Sequence, residues 1–233
     1  MNKNSFVLFI LIICSSQMGH TKNNSPSDQF PIQVLGNFSE KKPFIIYLSG
    51  DGGWNSFSQQ LGNELVQNGY TVVVFDSRKY FWDAKTPVQF VIDFETIVTY
   101  YLKQTTFKEF GVVGYSFGAD VAAFIPGNLS NDLKEKIRPM VLMSPGLSTD
   151  FEVKIADLMG RAPVERKYKI LTELDKTGIP ILCLFGEDEA LEIKAYLKES
   201  EKISVKVLSG GHRYDFDTAT LVKLILEKIN SVK

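Results

Sequence analysis

G-Y-S-F-G-A-D, residues 114–120, follows the apolar run Phe110-Gly111-Val112-Val113 and precedes Val121-Ala122-Ala123-Phe124. A serine between two glycines, where a strand gives way to a helix, matches the nucleophile elbow G-x-S-x-G. In that motif small neighbours permit a strained turn that lifts the serine hydroxyl out of the sheet. The reading requires a base, an acid and an oxyanion hole elsewhere in the chain, each at the end of a strand.

Outward from the elbow, short apolar runs alternate with helix-length amphipathic stretches, the pattern of a parallel sheet built from βαβ units. Strands are expected at Ile32 to Leu35, Phe44 to Leu48, Val72 to Phe75, Phe110 to Val113, Pro139 to Met143, Ile179 to Phe185 and Ile203 to Leu208. Several are continuous Val/Ile/Leu/Phe runs, as strands covered on both faces require. Helical spacing recurs at Phe57, Leu61, Leu65 and Val66, at Phe90, Phe94, Ile97, Val98 and Tyr101 after Pro87, and at Leu221, Leu224, Ile225 and Ile229. Between Ser144 and Ile179, Phe151, Val153 and Ile155 alternate as in an edge strand, and the stretch is too short for a large lid. The expectation is one three-layer α/β domain with a mostly parallel sheet, helices on both faces and a minimal cap.

The base is sought among two histidines, His20 and His212. Met1 to Asn4 make a short cationic start, and Phe6 to Cys14 form an apolar run too short to span a bilayer. Residues 1–20 therefore read as a secretory signal peptide, 21–30 as a polar linker and 31–233 as the folded domain. Cys14 is a weaker candidate for lipid attachment, because Ile13 is bulky where a small residue is expected. On that reading His212 is the imidazole of the mature domain, in L-S-G-G-H-R-Y directly after the last expected strand. Ligand and catalytic groups gather at that end of open α/β sheets.

The acid should lie between serine and histidine in chain order. G-E-D-E-A, residues 186–190, follows the strand Ile179 to Phe185, and spacing alone leaves both Asp188 and Glu189 as candidates. The oxyanion hole needs two backbone N–H donors. Phe117, after the serine, supplies one; the glycine-rich turn Ser49-Gly50-Asp51-Gly52-Gly53 supplies the other from Asp51 or Gly52.

Composition narrows the partners. The 233 residues carry 26 Lys plus Arg against 27 Asp plus Glu, a net charge of −1, with 44% hydrophobic and 23% charged residues. This is ordinary globular composition without the basic field that nucleic acid requires. Cys183 is the one cysteine of the domain, so an intramolecular disulfide is not expected. One histidine and one cysteine make no metal cluster, and S-G-D-G-G-W lacks the Lys and Ser/Thr of a phosphate-binding loop, so no cofactor is expected. Asp76 reads as a turn brace, and Tyr80, Phe81 and Trp82 as packing first and pocket wall second. Asp120, four residues after Ser116, suits a helix first turn whatever its function.

With S-G-D-G-G-W (49–54), D-S-R-K-Y-F-W and K-T-P (76–87), G-Y-S-F-G-A-D (114–120), L-C-L-F-G-E-D-E (182–189) and G-G-H (210–212) in order, the chain resembles the VirJ/AcvB virulence-protein family. The resemblance implies an exported α/β-hydrolase of the bacterial periplasm, with Ser116 as nucleophile, His212 as base and Asp188 or Glu189 as acid. AcvB-type members are associated with hydrolysis of lysyl-phosphatidylglycerol, so it also implies an ester substrate, with Asp51, Asp120 and Trp54 as candidate substrate contacts. Membrane lipid and secretion-system proteins are the further partners implied. The chain departs from the family pattern at Arg78 and Lys79 and at R-Y-D-F-D after His212, and it is one short domain where AcvB-type members carry an additional N-terminal half. Two alternatives stand beside an aminoacyl-lipid hydrolase: a generic carboxylesterase or thioesterase, and a non-catalytic accessory protein on the same scaffold.

Overall fold

A computed structural model describes residues 25–38, 41–154, 166–194 and 196–231. The expected signal peptide, the first residues of the linker, Cys14, His20 and Ile155 lie outside them.

Seven strands form one sheet in the order β1-β3-β2-β4-β5-β8-β9. They are β1 (Ile32–Leu35), β2 (Phe44–Leu48), β3 (Val72–Phe75), β4 (Phe110–Tyr115), β5 (Met140–Met143), β8 (Ile181–Gly186) and β9 (Ile203–Leu208). β1 pairs antiparallel with β3, and all other pairings in this sheet are parallel. β8 begins at Ile181 because Pro180 has no N–H to give to a ladder. β4 runs two residues beyond Val113, which carries the chain directly into the elbow.

The period of two along the central strands assigns their side chains to two cores. Phe44, Ile46 and Leu48 of β2 face α3 (Pro87–Gln104) and α4 (Phe117–Ala122), together with Val73, Phe75 and Val112. Ile45 and Tyr47 face α1 (Ser56–Gln67) and the C-terminal helix α9 (Thr218–Asn230), together with Val72, Val74, Val141 and Met143. Asn55 caps α1, and a capping box of Thr86 and Gln89 with Pro87 in the first turn starts α3. Parallel strands buried on both faces explain the continuous apolar runs seen in the sequence. Residues 26–28, within the stretch read as linker, form a 3-10 turn with Pro26 buried.

The expected edge strand at Phe151 and Val153 is corrected. The short antiparallel ladder lies instead between β6 (Ser148–Thr149) and β7 (Tyr168–Lys169). Phe151 adopts a positive φ of 56°, which an extended strand does not allow, and Phe151 and Val153 enter the core from an irregular segment. The Phe151 ring packs among Phe81, Phe90, Phe124 and Tyr168, and Val153 donates its N–H to Phe81 O at 2.8 Å.

Candidate active site

The elbow is tight for a steric reason. Ser116 sits at φ 54°, ψ −124°, a conformation costing on the order of 1–3 kcal/mol in a residue with a side chain. Neither flanking glycine has a positive φ; each is a glycine because backbone passes too close. A β-carbon at Gly118 would lie 2.3 Å from Leu48 O and 2.4 Å from Ser49 O, and one at Gly114 would lie 2.6 Å from Gly118 O. The Ser116 N–H is held by Met143 O at 2.8 Å, which ties the elbow to the end of β5.

His212 stands over this serine. Its Nε2 lies 2.8 Å from Ser116 Oγ, and its Nδ1 lies 2.8 Å from Glu189 Oε2. The loop that carries it is pressed onto the end of β8, where a β-carbon at Gly186 would meet Gly211 O at 2.3 Å. Gly210 takes φ 87°, with the Asp215 carboxylate folded against it. Tyr115 donates its hydroxyl to His212 O at 3.1 Å and lays its ring 5.3 Å from the imidazole. The serine's own neighbour thus fixes the height of the histidine loop.

Of the two acid candidates, Glu189 faces His212 and Asp188 does not. The helix α8 (Glu187–Lys194) starts directly after β8, and Glu189 lies three residues past Gly186. From there a Glu side chain reaches back to the N–H ahead of the helix, as in half of a capping box. Gly186 N donates to Glu189 Oε1 at 3.1 Å, which leaves Oε2 for the histidine. Asp188 is exposed, and its carboxylate lies beside the backbone of Gly211.

Two residues missed in the sequence complete the support of Glu189. Ser144, at φ 52° after β5, donates its hydroxyl to Glu189 Oε1. Tyr214 OH lies 2.7 Å from Ser144 Oγ and donates to Leu184 O at 3.0 Å. Burial pushes the Glu189 carboxyl up, but the donors His212, Ser144 and Gly186 outweigh it and hold the group below its ordinary value. Glu189 is therefore an anion through the neutral range.

The expected oxyanion donors also converge. Phe117 is the first residue of α4, so its N–H has no acceptor within the helix. The Gly50–Gly53 turn, closed by Gly53 N to Gly50 O at 2.9 Å, stands against the serine: a β-carbon at Gly50 would lie 3.2 Å from Ser116 Cβ. Asp51 and Gly52 occupy the middle of that turn, and their N–H groups make no hydrogen bond among the described residues.

Asp120 lies on α4 one turn past Ser116 and accepts from Gly146 N at 2.6 Å through Oδ1; Oδ2 has no donor among the described residues. Burial pushes its carboxyl up to about 7, and Asp51 adds to the rise, against the opposing influence of the Gly146 N–H, Arg166 and His212. The folded protein therefore keeps a proton that the unfolded chain sheds near 3.8, and stability falls as pH rises from there through about 7. Asp120→Asn, which can keep the Gly146 bond, is expected to gain about 2–4 kcal/mol relative to the parent at pH 8 over its effect at pH 5. Denaturant midpoints at the two pH values check this, and an unchanged gap would contradict it.

Trp54 is partly buried, its ring edge-on to Tyr47 at 5.9 Å and pressed on Gly62 of α1. Asp76 braces the turn as expected, accepting from Lys79 N at 3.2 Å. Tyr80 and Phe81 are buried packing, whereas Trp82 is 50% exposed. No group of three or more His, Cys, Asp or Glu among the described residues could hold a metal ion, and no described helix is long and apolar enough to cross a membrane.

A model of the bacterial virulence protein (VirJ) family matches residues 42–233. No curated protein matches the chain by sequence. Solved structures similar to it include Est1E from Butyrivibrio proteoclasticus, with TM-score 0.60 and 16% identity over 86% of this chain and 93% of that one. A lipase-esterase related protein from Clostridium acetobutylicum gives TM-score 0.61 and 14% identity over 85% and 99%. An alpha-beta serine hydrolase homologue from Coxiella burnetii gives 0.59 and 15% over 84% and 89%. At these identities the likeness is one of fold, and the fold is that of the α/β-hydrolases.

Proposed function

Since the chain belongs to the VirJ family of bacterial virulence proteins, we propose that it is an exported serine hydrolase that cleaves an ester, with Ser116, His212 and Glu189 as its triad. The observation that carries this is the unbroken chain of two 2.8 Å contacts from Glu189 through His212 to Ser116. A neutral imidazole held by a carboxylate at Nδ1 presents a lone pair at Nε2, which is the atom that faces the serine hydroxyl.

In the reaction, Ser116 Oγ bonds to the ester carbonyl carbon as its proton passes to His212 Nε2. The carbonyl oxygen becomes an oxyanion, received by the Phe117 N–H and by a donor from Asp51 or Gly52. The tetrahedral adduct collapses, the bond to the leaving alkoxide breaks, and His212 returns the proton to that oxygen. Water then repeats the sequence on the acyl-serine: His212 takes its proton, the acid leaves, and Ser116 is restored. Glu189 stays ionised and stabilises the imidazolium in both halves.

The finer reading is an aminoacylated phospholipid such as lysyl-phosphatidylglycerol. It is supported by Asp120, a partly buried carboxylate beside the nucleophile with one oxygen unclaimed among the described residues and Asp51 within its electrostatic reach. A substrate ammonium at that oxygen would favour the ionised form of Asp120 and pair with it. On this reading the protein works in the periplasm. The test is release of free lysine from lysyl-phosphatidylglycerol in detergent micelles. Turnover at least about tenfold lower in Asp120→Asn, with a neutral acyl ester unaffected, supports the aminoacyl assignment. Equal activity of parent and variant on both esters would leave a generic esterase.

A further inference from the structure

The turn that follows β5, Met143-Ser144-Pro145-Gly146, reaches several parts of the site at once. Met143 O accepts from Ser116 N at 2.8 Å, Ser144 donates its hydroxyl to Glu189 Oε1, and Gly146 N donates to Asp120 at 2.6 Å. Tyr214, two residues past His212, meets Ser144 Oγ at 2.7 Å. One turn therefore touches the backbone of the nucleophile, the side chain of the acid and the loop that carries the base.

Ser144 holds its place at a backbone cost. Its φ of 52° lies in the left-handed region, where glycine is the residue without strain, and it is 5% exposed. Its N–H donates to Leu184 O at 2.7 Å, which anchors it to β8. A glycine would satisfy that backbone better, and what it would lack is the hydroxyl.

Counting protons gives the hydroxyl a direction. Three contacts run from Glu189 through Ser144 and Tyr214 to Leu184 O, and two hydroxyl protons serve them. An ionised Glu189 only accepts, so the Ser144 proton goes to Oε1. The Tyr214 proton is then divided between Leu184 O at 3.0 Å and Ser144 Oγ at 2.7 Å. A hydroxyl that accepts such a bond donates more strongly. Gly186 N also donates to Oε1, at 3.1 Å, so both donors grip the same oxygen and Oε2 is left for His212 Nδ1.

We infer that Ser144 is a positioning residue of the triad: with the Tyr214 hydroxyl behind it, it pins Oε1 of Glu189 and thereby aims Oε2 at the imidazole. It touches no reacting atom and acts through Glu189. The inference rests on the reading of Ser116, His212 and Glu189 as the triad of an ester hydrolase.

The test uses the full chain and Ser144→Gly, which removes the hydroxyl while relieving the backbone, so its thermal melt should stay near that of the parent. On p-nitrophenyl acetate, kcat is expected to fall about tenfold or more with KM within about twofold. Tyr214→Phe leaves the Ser144 donor in place and should give a smaller loss, about threefold; it carries the test if Ser144→Gly does not fold. The second readout is one that a merely structural role would not move, the far-downfield proton resonance of His212 Nδ1–H against Glu189, recorded with the imidazole protonated. It should be sharp in the parent and should shift upfield or broaden in both variants. An unmoved resonance in the folded variants, or turnover by Ser144→Gly within about twofold of the parent, would overturn the positioning role. The resonance needs no substrate. If the parent turns over no ester, the hydrolase reading falls, and the resonance by itself decides whether Ser144 holds Glu189 to His212.

Discussion

Ser116→Ala is expected to lower kcat on an activated ester by about 10⁵-fold or more, leaving only what the donors and binding contribute. The reason is local. Among the described residues Ser116 is the hydroxyl that His212 Nε2 meets, at 2.8 Å, and its strained backbone at φ 54° serves to expose that hydroxyl. Alanine adopts the same backbone no more easily than serine, so the fold should change little and the loss should fall on kcat. Progress curves with p-nitrophenyl acetate, beside thermal melts of both proteins, check the point. Retained turnover would remove Ser116 from the chemistry.

The second large effect separates two neighbours. Glu189→Gln is expected to cut kcat by about 10³–10⁴-fold, because an amide facing Nδ1 can no longer stabilise the imidazolium and can favour the wrong tautomer. Asp188→Asn should stay within about threefold, since Asp188 is exposed and lies against loop backbone. Equal losses, or the reverse order, would show that the acid is not where the hydrogen bonds place it. The same bonds bear on pH: with the Glu189 carboxyl held below its ordinary value, its protonation should not limit activity in the neutral range.

The contrast between Asp188 and Glu189 also shows what the sequence could and could not reveal. Chain order and strand ends pointed to residues 187–189, but the choice depends on where α8 begins, because only then is the three-residue reach back to Gly186 defined. Gly186-x-x-Glu189 is in fact a helix-start signal, and read as one it would have favoured Glu189. The five inner strands were legible because strands buried on both faces leave continuous apolar runs, whereas β1 and β9 at the sheet edges are only partly buried. Phe151 was misread because a period of two says nothing about a left-handed φ, which an extended strand does not allow. Ser144 and Tyr214 left no local signal. Their hydroxyls meet across 70 residues of chain, and only the packing of β5, β8 and the histidine loop brings them to Glu189.

Trp82 follows the same logic at the surface. Tyr80, Phe81 and Trp82 look alike in a row, yet the short helix α2 (Ser77–Tyr80) and its C-cap turn Tyr80 and Phe81 into the core, while Trp82 is left half exposed. Aromatic residues in sequence cannot be sorted into core and wall until the turn that carries them is known.

The most direct test of the central claim is stoichiometric labelling with a fluorophosphonate, read by intact mass and peptide mapping. The account predicts one adduct per chain, on Ser116, formed slowly or not at all in His212→Ala and absent in Ser116→Ala. An unlabelled parent protein, or an adduct on any other residue, would contradict it.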